Sequence, residues 1–337
     1  MQFKNFKLLT LCAILFANSG ELKALEYKNF ETGLAISVAA GLAIGAKMDY
    51  EHREDDKHLE NIKLNLSILP KLNFKYADSD LSENKINFKY QDLNSDYLSR
   101  LQSLYNIKKE QFSRYTQLEL VIIITNLVHN LWEHDGNNMP AKSDPISILE
   151  EVLVNKKKFR CVEYSTVLAG CLNAVGINCR VLRLRTKDVE TREYGAGHVV
   201  VEAYLYGKWI MIDPQAKWIP ACNGNILNAV EFQQALANKE QYKSVYNYFD
   251  YKGREILAQF KNDCPSFEEY AKFIGQYLYY FETVIEQKNY DNNQPSVMLV
   301  PIDAPNPTIF QKKYPLDIAI YTHSVASFYQ KPDILNS

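Results

Sequence analysis

An α+β fold, with a cysteine-led helix packed on an antiparallel sheet, is what this sequence predicts, and three observations predict it. Apolar residues recur at three- and four-residue spacing from Val162 to Leu172 and stop before Gly176, which reads as a helix with Cys161 at its N-terminus. Two β-rich runs follow, His198–Leu205 and Trp209–Ile212, separated only by Tyr206-Gly207-Lys208, as in a hairpin. Further β-like runs lie at Cys179–Leu184, Val297–Val300 and Ile318–Tyr321, placed to extend one sheet.

In chain order, Lys4 and Lys7 precede the apolar stretch Leu8–Phe16 and the small residues Ala17-Asn18-Ser19. This is the pattern of a secretory signal peptide over residues 1–19, and Ala24 offers a second cut. Residues 20–92 read as a small β-rich N-terminal region, because Ile62–Leu66 and Ile86–Tyr90 alternate apolar and polar side chains. The apolar stretch Gly33–Ala46 is shorter than the roughly 20 residues a helix needs to cross a bilayer, and it reads as a strand or hairpin. Membrane association after export is therefore left open but unsupported. The charged run Glu51–His58, which carries two histidines, reads as a solvated linker rather than a metal site.

A catalytic domain with a C-terminal extension is expected over residues 93–330. Helices are predicted over 96–105 and 111–132, ending at Gly136-Asn137-Asn138-Met139-Pro140. Asp144 and Pro145 have the character of an N-cap and first position for a helix through Leu153. The charged segment Thr186–Gly197 connects two strands, and beside a nucleophile such a loop can form a rim or lid. Phe267–Gln287 reads as one aromatic-rich helix whose Tyr270, Phe273, Tyr277, Tyr280 and Phe281 make a packing face.

With 337 residues, 47% of them hydrophobic, the chain can bury a full core, which excludes a disordered protein. Cleavage of the leader removes Lys4 and Lys7 from the 38 basic residues, leaving 36 against 40 acidic ones. Nucleic acid is not an expected partner, since the one basic cluster, Lys156-Lys157-Lys158, reads as a solvated loop. Five cysteines remain after the leader: Cys161, Cys171, Cys179, Cys222 and Cys264. An odd number leaves at least one thiol free, and the other four are compatible with two bridges or none.

The chemistry lies in three of these elements. A free cysteine, with a pKa about 8.5, attacks carbonyl carbon only as thiolate, so it needs a setting that favours the anion. Cys161 opens a helix, where unpaired main-chain N–H groups and the positive end of the dipole stabilise negative charge. A histidine able to become imidazolium is the second source of help, and His198 starts the next strand but one. If His198–Leu205 and Trp209–Ile212 pair across their short turn, the start of the first lies beside the end of the second, which brings His198 to Asp213. Taken singly, each residue has an ordinary reading as core thiol, strand histidine or Asp-Pro turn. Their joint order and the hairpin geometry instead read as nucleophile, base and orienting carboxylate.

These residues resemble a known family. The segment from Asp144 to Pro220 is similar to the core of the transglutaminase-like superfamily, whose papain-like α+β fold carries Cys, His and Asp in that order. The matching pieces are the cysteine-led helix, Ala174-Val175-Gly176-Ile177-Asn178-Cys179-Arg180, the His198 strand and Trp209-Ile210-Met211-Ile212-Asp213-Pro214. Upstream, Leu131-Trp132-Glu133-His134-Asp135-Gly136 resembles the approach to the nucleophile. The resemblance implies that the indole N–H of Trp132 helps hold the oxyanion, together with the main-chain N–H of Cys161. Many members have glycine two residues before the cysteine, where this chain has Phe159.

The implied reaction is attack by Cys161 on a carboxamide or peptide carbonyl of a protein or peptide substrate, giving a thioester that water resolves. Protein cross-linking acyltransferases and catalytically silent binding modules occur in the same superfamily and stay as alternatives. The chemistry requires no cofactor and no metal, and no EF-hand-like carboxylate spacing is present. The expected location is outside the cytoplasm, secreted or periplasmic.

Overall fold

A computed structural model describes residues 74–77, 86–258, 260–287 and 294–332. The expected signal peptide, the Gly33–Ala46 stretch, the Glu51–His58 run and the Ile62–Leu66 strand lie outside them. Ile86–Tyr90, read as a strand, instead makes a single parallel bridge between Lys89 and Glu286.

Among the described residues three α-helices precede the cysteine: α1 (Asp96–Tyr105), α2 (Gln117–His129) and α3 (Pro145–Asn155). The second starts later than expected because Thr116 and Glu119 form a capping box, in which Thr116 Oγ1 accepts from the Glu119 N–H at 3.3 Å and the Glu119 carboxylate accepts from the Thr116 N–H at 2.8 Å. Residues Lys109–Phe112 ahead of it form a 3-10 turn. At the third, Asp144 Oδ1 accepts from the Ser147 N–H at 3.1 Å and Pro145 takes the first position, as expected.

Helix α4 (Cys161–Ala174) is buried on nearly every side from Glu163 onward, since it packs on α1, α2 and α3 and also on the sheet. A helix enclosed this way must be apolar all round, so its sequence shows little one-sidedness. Its contact with α3 is close: a Cβ added at Gly170 would stand 2.5 Å from Cγ of Pro145.

The sheet has six strands in the order β11-β8-β7-β1-β2-β3. They are β1 (Cys179–Arg185), β2 (Gly197–Leu205), β3 (Lys208–Ile212), β7 (Tyr280–Val284), β8 (Ser296–Leu299) and β11 (Ile318–Thr322). All neighbours are antiparallel except β11 and β8. The β2–β3 hairpin closes on the pair Leu205–Lys208, with Tyr206 (φ 52°) and Gly207 (φ 84°) both left-handed. Two such residues in a two-residue loop match the twist of the strands they join.

The arginines of β1 find partners on both faces of the sheet. Arg183 and Arg185 each approach the buried Glu282 of β7 to 2.6 Å, and together they hold its carboxyl down at about 2 against the upward push of burial. On the other face Arg180 is fully buried with Glu202 at 2.7 Å and lies over the rings of Trp209, Phe328 and Tyr329. Its Nη1 donates to the Phe328 carbonyl at 2.8 Å, which ties the C-terminal helix α9 (Val325–Phe328) to the sheet.

Between β3 and β7 the chain forms a small sheet, β4 (Pro220–Cys222), β5 (Asn225–Ile226) and β6 (Val245–Asn247), and four helices. These are α5 (Ala229–Ala237), α6 (Lys239–Tyr242), α7 (Tyr248–Ile256) and α8 (Phe267–Ile274). A ribbon of β9 (Ile309–Phe310) and β10 (Tyr314–Pro315) precedes β11.

The single helix expected over Phe267–Gln287 is corrected here. It ends at Ile274, a 3-10 turn covers Gly275–Tyr277, and the remaining aromatic run becomes β7. Pairing on both edges, with β1 and β8, overrides the helical spacing of its rings. Val297–Val300 and Ile318–Tyr321 do extend the sheet, as β8 and β11.

Candidate active site

The Cys161 side chain is half-buried at the start of α4, and the five cysteines among the described residues are free thiols. No side chain caps the first turn of this helix. The Glu163 carboxylate instead turns back to the Arg160 N–H at 3.1 Å and to its guanidinium at 2.7 Å. The helix is thus locked at its entry without a side-chain cap on its first N–H groups, among them that of Cys161.

His198 stands opposite Leu184 of β1 near the start of β2. The neighbouring residue ties the strand to the cysteine helix, since Ser165 Oγ donates to the Val199 carbonyl at 2.9 Å. Gly197, just before it, has no room for a side chain: a Cβ there would meet Nη1 of Arg185 at 2.9 Å and the Leu184 carbonyl at 3.2 Å. The ring of Phe273 meets the imidazole edge-on at 5.1 Å.

Asp213 follows β3 and is fully buried. Its Oδ2 accepts from His198 Nε2 at 2.8 Å and from the Tyr270 hydroxyl at 3.1 Å. Its Oδ1 accepts from the N–H groups of Gln215 at 3.0 Å and Ala216 at 3.2 Å. The turn that carries it is closed by Asp213 and Trp218, which exchange main-chain hydrogen bonds of 2.8 and 3.0 Å. Behind the turn, His129 Nδ1 lies 3.0 Å from the Pro214 carbonyl, and the buried Lys217 ammonium is paired with Asp263.

With Nε2 bound to Asp213, the other imidazole nitrogen, Nδ1, is the one left for the sulfur. Burial alone would lower the His198 pKa, but the Asp213 charge and hydrogen bond, helped by a hydrogen bond with the Cys161 thiol, outweigh it and push it up to about 10. Burial would likewise raise the Asp213 carboxyl. The charge and hydrogen bond of His198, with the Ala216 N–H and Tyr270 hydroxyl, hold it below the ordinary aspartate range instead. At neutral pH the pair is therefore imidazolium and carboxylate, and the cation sits beside the sulfur. Such an arrangement holds a proton ready for a leaving group.

Trp132 takes a different place from the one expected. Its indole N–H donates to the Phe159 carbonyl at 3.3 Å, and its ring stacks on Tyr164 at 4.3 Å between centroids. The N–H is spent on the segment entering α4, so Trp132 holds the approach to Cys161 rather than offering an open donor at the sulfur. Phe159, the residue standing where glycine is common, is fully buried and packs edge-on against the same indole at 6.3 Å.

The structure also brings in residues that no sequence pattern singles out for the site: Tyr270, Phe273 and Tyr277 on Asp213 and His198, and Ser165 on the strand. The aromatic spacing identified the first three only as a packing face. Their contacts span dozens of residues, and no local pattern encodes them. Among the described residues no group of histidine, cysteine and acidic side chains could hold a metal ion, and no helix is long and apolar enough to cross a membrane.

Residues 108–214 match the family model of the transglutaminase-like superfamily. Among solved structures, a proposed cysteine protease from Cytophaga hutchinsonii is similar over 41% of this chain and 44% of its own, at 19% identity and a TM-score of 0.30. A proposed protease from Parabacteroides distasonis is similar over 39% of this chain and 26% of its own, at 15% identity and a TM-score of 0.24. The chain thus spans less than half the length of either. No curated protein matches the sequence.

Proposed function

We propose that this protein, whose residues 108–214 match the family model of the transglutaminase-like superfamily, is a thiol hydrolase of amide or peptide bonds, with Cys161 as nucleophile, His198 as base and acid, and Asp213 as the orienting carboxylate. The observation that carries the reading is the imidazole shared between the Cys161 thiol and the Asp213 carboxylate, the latter at 2.8 Å.

In the proposed cycle the Cys161 thiolate attacks the carbonyl carbon, and the carbonyl oxygen gains negative charge near the N–H of Cys161. Collapse of this intermediate breaks the C–N bond, and the proton on His198 Nδ1 goes to the departing amine. A thioester remains. His198, now neutral, takes a proton from water as the water oxygen attacks the thioester, and collapse releases a carboxylic acid and the thiolate. Asp213 keeps its charge throughout and stabilises each return of the imidazolium.

Hydrolysis is proposed over amine transfer, since transfer needs an acceptor-amine site that no feature described here supplies. The substrate is proposed to be a protein or peptide, met after export. The support for export is the leader pattern of residues 1–19.

The test is labelling of the full chain with a peptide-like thiol electrophile, mapping of the labelled residue, and assay of peptide hydrolysis with and without a labelled primary amine. Label on Cys161 that is lost in His198→Ala, with free carboxylate as product, is the expected result. Slow labelling indistinguishable from that of the other thiols would end the proposal, and incorporation of the amine would replace hydrolysis by cross-linking.

A further inference from the structure

Tyr277 closes the 3-10 turn after α8. Its ring lies 5.8 Å from the His198 imidazole, and a Cβ at Gly195 would come within 4.0 Å of its hydroxyl. The ring thus flanks the imidazole, and its hydroxyl lies by the turn that leads into β2. Other buried tyrosines nearby are committed: Tyr270 donates to Asp213, Tyr164 to the Trp132 carbonyl and Tyr329 to Glu202. Among the described residues nothing hydrogen-bonds the Tyr277 hydroxyl, and it is not sealed from solvent, the residue being 8% exposed. A phenol beside the imidazole thus has a donor to give and no partner among the described residues.

The reaction needs such a donor. Charge builds on the substrate oxygen as the thiolate attacks, and one main-chain N–H is a single donor where at least two are ordinarily found. The indole N–H of Trp132 is already bound to the Phe159 carbonyl.

We propose that the Tyr277 hydroxyl is a catalytic residue: it donates to the carbonyl oxygen of the substrate as that oxygen becomes an oxyanion, sharing the role with the N–H of Cys161. The inference rests on Cys161 being the nucleophile. Burial and the nearby Cys161 charge push the phenol up to about 12, so it keeps its proton over the working range. The hydroxyl donates without transferring its proton. Carbon–sulfur bond formation moves the carbonyl electron pair to oxygen, and the phenolic hydrogen bond stabilises it there.

Two reactions of one sulfur separate this role from packing. Alkylation by iodoacetamide displaces iodide at a saturated carbon and makes no oxyanion, whereas acylation by p-nitrophenyl acetate passes through one. Both rates are to be measured on the full chain, on Tyr277→Phe and on Cys161→Ala. In Tyr277→Phe, alkylation and its pH profile are expected to stay within about twofold while burst acylation falls roughly 100-fold, the usual loss for one oxyanion donor. Acylation within about twofold of wild type overturns the assignment. A parallel fall in both rates also overturns it, and makes Tyr277 a positioning residue for His198. A wild-type chain that shows no burst, or a burst that survives in Cys161→Ala, defeats the nucleophile itself and the Tyr277 role with it.

Discussion

Replacing Asp213 with asparagine keeps the size of the side chain and removes its charge. Four donors converge on the carboxylate: His198 Nε2 and the Tyr270 hydroxyl on Oδ2, and two main-chain N–H groups on Oδ1. An amide keeps an acceptor for the main-chain pair but turns its NH2 toward two groups that are themselves donors. His198 can meet it only by presenting a lone pair at Nε2, which moves the ring proton to Nδ1 and leaves no base facing the sulfur. The charge effect has a size as well. With the carboxylate in place the imidazole pKa is pushed up to about 10, so at neutral pH nearly every molecule holds the cation. Without it burial dominates and acts downward from the ordinary value of 6.5. Near pH 7.5 no more than about one molecule in ten then carries imidazolium.

Iodoacetamide alkylation of Cys161 in Asp213→Asn should accordingly fall at least ~10-fold near neutral pH, and turnover, which also needs proton delivery, by roughly 10³- to 10⁴-fold. Second-order alkylation rates measured across the pH range provide the assay. The wild-type rate should vary little through neutrality, while the variant's climbs steadily with pH. A variant that tracks the wild-type profile within about twofold would refute the reasoning.

Three more outcomes are expected. The His198–Asp213 pair should stabilise the fold fully between pH 3.8 and 6.5: the raised imidazole loses its contribution as pH climbs through about 10, and the depressed carboxylate loses its own as pH falls below 3.8. Thermal midpoints of wild type and Asp213→Asn should therefore converge at both extremes, and a constant gap would contradict this. Arg180→Met strands the buried Glu202 charge and should cost about 3–5 kcal/mol in urea unfolding, while Arg180→Met with Glu202→Met recovers most of it. Gly170→Ala puts a methyl 2.5 Å from Cγ and 2.8 Å from Cβ of Pro145 and should cost about 1–3 kcal/mol, measured by the same method.

The centre of the site was readable because it depends on short-range geometry. A two-residue turn between β-rich runs brings His198 to Asp213, and a glycine past Ala174 ends the helix that Cys161 begins. The start of α2 was equally open to reading, since Thr116 and Glu119 carry the spacing of a capping box, but the apolar run around them drew the expected boundary to 111. Other features were beyond local pattern. The rings from Tyr270 to Phe281 suit a helix face by spacing alone, and only the docking of β7 beside β1 puts Tyr280 and Phe281 in a strand. The Trp132 role was carried over from the resemblance. Its N–H is diverted by the Phe159 carbonyl, an acceptor whose position depends on how the chain enters α4.

The family match ends at residue 214, yet β7, which occupies an inner position of the sheet, and the hydroxyl that completes the Asp213 shell both come from residues beyond it. Strand β1 pairs with β7 across roughly a hundred positions of sequence, the kind of long-range closure that folds slowly. As the polypeptide leaves the ribosome, nucleophile, imidazole and carboxylate all emerge before the parts that finish their surroundings. A fragment truncated just after the match would carry Cys161, His198 and Asp213 with an open sheet margin and an unfinished carboxylate.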